Sequence, residues 1–379
     1  MKRPFLFKIF ICLFLLTVLE GCGYGQSREV KTFRAFPAKG QLEHSVVQVS
    51  EPITPNTIHL IDNTVVLVDR NAEHAIQFYD IKDWSLKGVY GRRGDGPGEM
   101  KSPKFHGQFV REKDETYLWF SDIRNYKLKK IGLQAMIGNS SAEPNVSLRL
   151  PAELALSYKD IFAINNNEFI GTIEGDIIGL SGNENAGRFF RFEKGEPITW
   201  IANFPEQKLE VPQKKVGYLY ASRVAFNNQT NRLASGMVYY DRVDFVSVLN
   251  NEVITVVQED NQEVNEVDLN GDGYLIPLDV TNFYVSAYGT KNFVYFFYSN
   301  STNQQVVDYY DGKSSSISNL QLHVYDWNAT PIYRAELDKW ALGSFFVDEQ
   351  TWQLYATDSD PVSEDEIIVS YQLPKLLNE

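Results

Sequence analysis

Beyond residue 28 the apolar positions fall into short runs, rich in β-branched and aromatic residues and separated by turn-forming residues, which reads as strand after strand. No stretch sustains the 3.6-residue period of a long amphipathic helix. One strand type recurs: Val65-Val66-Leu67-Val68-Asp69, Tyr117-Leu118-Trp119-Phe120-Ser121, Glu168-Phe169-Ile170-Gly171-Thr172, Arg232-Leu233-Ala234-Ser235-Gly236, Asn292-Phe293-Val294-Tyr295-Phe296 and Trp352-Gln353-Leu354-Tyr355-Ala356. Their first residues lie 52, 51, 64, 60 and 60 apart, so one supersecondary unit is repeated six times. The hairpins that follow are related too. Ile76-Gln77-Phe78-Tyr79-Asp80 turns through Lys82-Asp83 into Leu86-Lys87-Gly88-Val89-Tyr90, and Leu322-His323-Val324-Tyr325-Asp326 turns through Asn328-Ala329 into Ile332-Tyr333-Arg334-Ala335. A four-stranded unit fits each repeat.

Four-stranded sheets repeated radially form a β-propeller, whose closure removes most of the liability of open strand edges. The expected fold is therefore all-β: a single six-bladed β-propeller of four-stranded antiparallel blades over residues 29–379. The last repeat begins near Trp340 and holds about three strands, ending at Ile367-Ile368-Val369-Ser370-Tyr371. Val30-Lys31-Thr32-Phe33-Arg34-Ala35-Phe36 is expected to supply the fourth, so that the two chain ends close the ring. Two β-sandwiches or a solenoid are the competing architectures.

The first segment departs from this pattern. Lys2, Arg3 and Lys8 form a basic region ahead of an apolar run from Ile9 to Leu19, too short for a comfortable membrane span of roughly 20 residues. It ends in Leu19-Glu20-Gly21-Cys22, which resembles the lipobox of bacterial lipoproteins, with Glu20 departing from the usual small or apolar residue. That resemblance implies a signal peptide over 1–21, lipidation at Cys22 and a short polar tether over 22–28. Cleavage would take the net charge from −13 to −15 and remove Cys12, leaving one alkylated Cys and no possible disulfide. Several acyl chains anchor stably, so the expected partner is the membrane, through lipid alone. Nothing at Gly23 resembles the Asp that retains lipoproteins at the inner membrane, which favours the outer one. An ordinary cleaved signal with a stray Cys is the alternative.

Composition narrows the functions. Hydrophobic residues make up 43% and charged residues 22%, which excludes disorder and permits a sizeable core. Twenty-four Phe, 21 Tyr and 6 Trp favour strands. The charge of −13 argues against nucleic acid as a partner, because such proteins concentrate Lys and Arg. No Gly-x-Ser-x-Gly elbow occurs, and no spacing of acids picks out a glycosidase pair. His44, His59, His74, His106 and His323 are scattered, with no His-Glu-x-x-His, and each is expected to be a satisfied surface or core imidazole.

Two loops carry candidate chemistry. Gly91-Arg92-Arg93-Gly94-Asp95-Gly96-Pro97-Gly98-Glu99-Met100, with the preceding Val-Tyr and the following Ser102-Pro103, resembles a signature of the TolB-like six-bladed propeller lipoproteins. The stretch Val324-Tyr325-Asp326-Trp327-Asn328-Ala329-Thr330-Pro331, then Leu337-Asp338 and Phe346-Val347-Asp348, is similar to that family's closing blades. The resemblance implies fold and compartment and brings no catalytic residues. Read physically, the glycines allow backbone N–H groups to converge on an anion, and Arg92, Arg93, Asp95 and Glu99 are candidate ligand contacts; a plain inter-blade turn is the alternative. The second loop runs from Asp268 to Asp279 and matches a calcium-binding pattern. Asp268, Asn270, Asp272 and Asp279 would offer side-chain oxygens and Tyr274 its carbonyl. It is similar to EF-hand and dockerin loops, but single and flanked by strands, so a polar turn is the alternative. The functional expectation is an outer-membrane-anchored lipoprotein whose propeller is a non-catalytic binding or scaffolding module for an unknown protein or small-molecule ligand. The competing class is a metal-dependent propeller hydrolase of lactonase type, whose mark would be two or three carboxylates converging on the axis.

Overall fold

The structure, a computed structural model, describes residues 28–49, 53–154, 158–174, 187–201, 216–259, 278–314, 317–360 and 367–376. Three short strands come first: β1 (Arg28–Phe33), β2 (Ala38–Leu42) and β3 (His44–Val46). Blade 1 then holds β4 (Thr57–Ile61), β5 (Thr64–Val68), β6 (His74–Asp80) and β7 (Leu86–Arg92). Blade 2 holds β8 (Pro103–Glu112), β9 (Glu115–Asp122), β10 (Lys127–Gly132) and β11 (Val146–Arg149). Blade 3 holds β12 (Tyr158–Ala163), β13 (Glu168–Ile173), β14 (Phe189–Glu193) and β15 (Thr199–Ile201). Blade 4 is β16 (Ser222–Asn227), β17 (Arg232–Met237), β18 (Arg242–Ser247) and β19 (Val253–Gln258). Blade 5 is β20 (Thr281–Gly289), β21 (Phe293–Thr302), β22 (Gln321–Asp326) and β23 (Pro331–Leu337). Blade 6 is β24 (Leu342–Asp348), β25 (Gln353–Asp358) and β26 (Ile368–Gln372), completed by β3. The six-bladed propeller is thus the observed fold.

The recurrent strand of the sequence is the second strand of every blade: β5, β9, β13, β17, β21 and β25. Its regularity has a physical cause. A second strand lies inside its own sheet with a neighbouring blade packed on each face, so β5 is buried at all five positions and β21 at its first six. Strands covered on both faces read as continuous apolar runs rather than as an alternation. Each seam between blades carries its own apolar cluster. Ile76, Phe78 and Tyr90 of blade 1 meet Phe105, Leu118 and Phe120 of blade 2. Around the ring, Phe346 and Ile368 of blade 6 return to Ile58, Val65 and Tyr79 of blade 1. Closure is therefore made by packing as well as by hydrogen bonds.

The N-terminal strands differ from expectation. The fourth strand of blade 6 is β3, with Ser45 opposite Ser370 and His44 opposite Tyr371. Val30 to Phe33 belong instead to β1, a fifth strand laid parallel on β19 of blade 4, while β2 lies parallel on β23 of blade 5. A four-residue link, Arg34 to Pro37, joins the two, and it buries Phe36 against Tyr325 and His323. That burial explains why the aromatic segment stops on blades 4 and 5. Strands rotate by about 20–25° per neighbour, so a fourth or fifth strand lies at nearly a right angle to the inner one. β1 and β2 consequently run along the rim as a strap. His44 fastens its end, with Nδ1 2.8 Å from Asp338 Oδ2, and Tyr371 also donates to Asp338.

Candidate functional site

All six inner strands (β4, β8, β12, β16, β20 and β24) line one central channel of about 870 Å³. They run in the same direction, so one mouth, here called upper, gathers their first residues and the other their last. A charged network occupies the upper part of the wall. Lys104, Lys159 and Arg223 are the second residues of β8, β12 and β16, which places one basic side chain on each of three consecutive blades. Lys104 Nζ donates to Asp160 Oδ1 at 2.8 Å and to the Lys159 carbonyl at 2.7 Å. His106 Nδ1 lies 3.1 Å from the same Asp160 oxygen. Lys159 Nζ pairs with Glu174 Oε2 at 2.5 Å, and Arg223 Nη1 reaches that oxygen at 3.4 Å. Arg223 Nε donates to the Val285 carbonyl at 3.1 Å, tying the group to blade 5.

Burial sets the protonation of this network. Burial alone would raise the Asp160 carboxyl, but Lys104, His106 and Lys159 hold it at about 2. Burial pushes His106 down to about 3 against the pull of Asp160, with Lys104 adding to the fall. His59, which lines the channel from β4, is likewise pushed by burial to about 4, against a backbone hydrogen bond to Phe105. Both imidazoles are neutral at pH 7. An ionised Asp160 and a backbone carbonyl can only accept, so the ring proton sits on His106 Nδ1 and on His59 Nε2. Among the described residues the lone pairs of His106 Nε2 and His59 Nδ1 find no hydrogen-bond partner, and neither does Nδ1 of the core residue His323. His44 is satisfied by Asp338, as expected, whereas His59, His106 and His323 are core imidazoles with one ring nitrogen each left over among the described residues. These rings are buried with their donors used and their acceptors left over. Space beside His59 exists because residue 107 is glycine at φ +73°, where a Cβ would stand 2.6 Å from Nδ1.

The lower part of the wall carries charges of both signs, with Asp62, Asp348 and Glu349 against Arg111 and Lys291. Asp62 pairs with Arg111, Asn227 Nδ2 donates to the Lys291 carbonyl at 3.1 Å, and Glu349 accepts from Asn292 at 2.8 Å and from Tyr295 at 3.1 Å.

None of Arg92, Arg93, Asp95 and Glu99 lines the channel; they sit at the end of β7 and in its connection to β8. Arg92 pairs with Glu73, Arg93 donates to the Arg70 carbonyl, and Asp95 binds Lys101 at 2.6 Å. Glu99 Oε2 accepts from the loop's own Gly96 N–H at 2.9 Å. A Cβ at Gly98 would meet the Ser141 carbonyl at 2.7 Å, so this glycine permits close approach to blade 2. In the calcium-pattern loop, Asp268, Asn270, Asp272 and Tyr274 lie outside the described residues, as does Cys22. Asp279 is exposed in the turn just before β20. Among the described residues no three His, Cys, Asp or Glu side chains gather as a metal-holding group. In the channel wall, Asp160 carries the Lys104 ammonium where a cation would have to sit.

The fold and this wall define the class: a six-bladed propeller with an open, polar central channel and a fixed charge network at one mouth. No protein-family model and no curated protein matches the sequence. Solved structures do share the fold. A member of the DUF4221 family from Bacteroides vulgatus is 12% identical with a TM-score of 0.56, over 90% of this chain and 99% of that one. A protein of Bacteroides fragilis proposed to be exported is 12% identical with a TM-score of 0.51, over 92% and 99%.

Proposed function

We propose that the protein is a lipid-anchored component of the bacterial cell envelope, at the outer membrane, whose propeller is a non-catalytic binding module that takes its ligand into the central channel. The lipobox-like Leu19-Glu20-Gly21-Cys22 motivates the anchor, and the Gly-Pro-Gly-Glu loop keeps the TolB-like lipoproteins as the family it resembles. The rim strap supports the same reading. The first described strand lies on the outer edge of blade 4, so the described chain begins at the rim rather than at a mouth. Only Gly23 to Ser27 separate Cys22 from Arg28, a reach of about 20 Å at full extension. An anchor there holds the rim of blade 4 near the bilayer and leaves both mouths clear.

The observation that carries binding over catalysis is the state of the channel wall. Its buried carboxylate is consumed by Lys104 and His106 rather than converging with others on the axis. Its histidine nearest to a carboxylate is held near 3, a poor match for a general base at neutral pH. The test is incubation of the purified protein with a small-molecule extract of bacterial envelopes, followed by mass spectrometry of bound and free fractions. Compounds retained and then recovered at unchanged mass on unfolding are the expected result. Time-dependent appearance of products, absent with heat-denatured protein, would make the protein an enzyme.

A further inference from the structure

Three features of the upper channel point to the kind of ligand it takes. The first is a local charge that opposes the rest of the chain. In a protein of net charge −13, Lys104, Lys159 and Arg223 stand against only Asp160 and Glu174 among the described residues of this network, a surplus of one positive charge with both histidines neutral. The second is the way the carboxylates are used. Asp160 is buried and engaged by Lys104 and His106, while Glu174 is shared between Lys159 and Arg223. The third is the remaining donor capacity. Among the described residues Arg223 Nη2 makes no hydrogen bond, and Lys159 Nζ pairs only with Glu174. Both side chains remain about 30% exposed, whereas Lys104 is sunk behind them at 15%. Spare guanidinium and ammonium donors thus face a cavity large enough for a metabolite-sized molecule.

The geometry points to an anion-binding site at the upper mouth of the channel, in which Arg223 and Lys159 hold the carboxylate or phosphate of a small organic molecule whose neutral body lies along the channel. This rests on the binding reading above and adds the ligand's charge and the residues that read it. A planar guanidinium with one free edge and a neighbouring ammonium suit either oxyanion. Low solvent exposure strengthens each contact relative to open water. Glu174 acts as a selectivity element. It neutralises part of the pair, so a ligand of one or two negative charges suits the site better than a polyanion. Asp160 and Lys104 position the wall from behind without touching the ligand.

The experiment is isothermal titration of the full mature protein with three charged probes and three neutral counterparts: succinate, benzoate and glucose 6-phosphate against succinamide, benzamide and glucose. The expected result is that at least one anion binds, with an affinity at least tenfold above its neutral counterpart and falling with added salt. The carboxylate and phosphate arms separate the two head groups. Arg223→Gln and Lys159→Gln should each weaken the binding anion tenfold or more. Lys194→Gln, which removes an equal charge from an exposed turn elsewhere, should bind as wild type does. Thermal melts of the unliganded variants establish that they are folded. Neutral probes binding as well as anions, or full affinity in both channel variants, would overturn the anion site and leave channel binding standing. Silence from all six probes would overturn the site and count against the binding reading itself.

Discussion

The Asp160–Lys104 pair gives the account a measurable handle. Asp160 is 6% exposed, and its carboxyl is held at about 2 against an ordinary 3.8. At 1.36 kcal/mol per unit, that shift corresponds to about 2 kcal/mol of stability at neutral pH. The two partners respond unequally: the carboxylate is held low, while burial pulls Lys104 below its usual value despite Asp160. Desolvation of the ammonium therefore offsets part of the gain, and the net worth of the pair is smaller than the Asp160 shift alone implies. Removing one partner is a different matter. Asp160→Asn keeps the shape but leaves the Lys104 ammonium buried beside neutral groups, at a cost of about 2–4 kcal/mol. Adding Lys104→Met to that background removes the stranded charge, and the double variant should recover most of the loss. Because the folded pKa of Asp160 is depressed, its contribution is complete above about pH 4 and disappears as pH falls from there towards 2. The assay is urea unfolding of wild type, both single variants and the double variant at pH 7, repeated on wild type and Asp160→Asn at pH 3. An Asp160→Asn variant within about 0.5 kcal/mol of wild type at pH 7, or a double variant no better than the sum of the singles, would refute the reasoning.

Gly107→Ala should destabilise by about 1–3 kcal/mol, because it places a Cβ in the left-handed region and 2.6 Å from His59 Nδ1; unchanged urea midpoints would show that the strand relaxes freely. Cys22→Ser should leave an uncut precursor that no longer partitions into detergent, and normal processing to a soluble mature protein would remove the anchor from the account. If the loop from Asp268 to Asp279 binds calcium, it should do so weakly, on the order of 10⁻⁴–10⁻³ M, and millimolar calcium should raise the melting temperature in wild type but not in Asp268→Ala/Asp272→Ala. Identical melts with calcium and chelator in both proteins would leave an ordinary polar turn.

The second strands made the fold legible, because blades packed on both faces force an unbroken apolar run once per repeat. The inner strands hid the candidate site for the complementary reason. They face a polar channel on one side, so β8, β12 and β16 mix Lys, His, Asp, Arg and Gln into short segments with no strict alternation. One signal was present. Lys159 and Arg223 each stand nine residues ahead of the recurrent strand, before Glu168 and Arg232. Lys104 falls out of that frame because β8 is longer and irregular in register between Phe105 and Phe109, around Gly107. Aligning the repeats on the second strand and reading backwards would have found two of the three. The strap had no such signal. A fifth strand laid parallel on a distant blade needs no tight turn, so nothing near Arg28 to Phe33 marks Val253 to Gln258 as its partner. The glycine-rich loop drew notice through its residue types, yet its charges are spent on Glu73, Arg70 and Lys101 and its glutamate on its own backbone.

The most direct measurement concerns how the propeller is held. With the proposed cleavage before Cys22 and lipidation of that residue, the mature chain would carry no free thiol, so a cysteine introduced elsewhere could be labelled alone. Leu249→Cys places a fluorophore on the exposed tip between β18 and β19 of blade 4, beside the start of the strap, where Leu249 is 71% exposed. Asn71→Cys places one on the exposed turn between β5 and β6 of blade 1, three blades away and therefore across the ring. Both proteins are lipidated, purified in detergent and reconstituted into vesicles carrying a nitroxide-labelled lipid. A rim-anchored propeller with clear mouths predicts strong quenching at position 249 and little at position 71. Vesicles that float without the protein would contradict the anchor, and equal quenching at both positions, or more at 71, would contradict the rim-on arrangement that keeps the channel open.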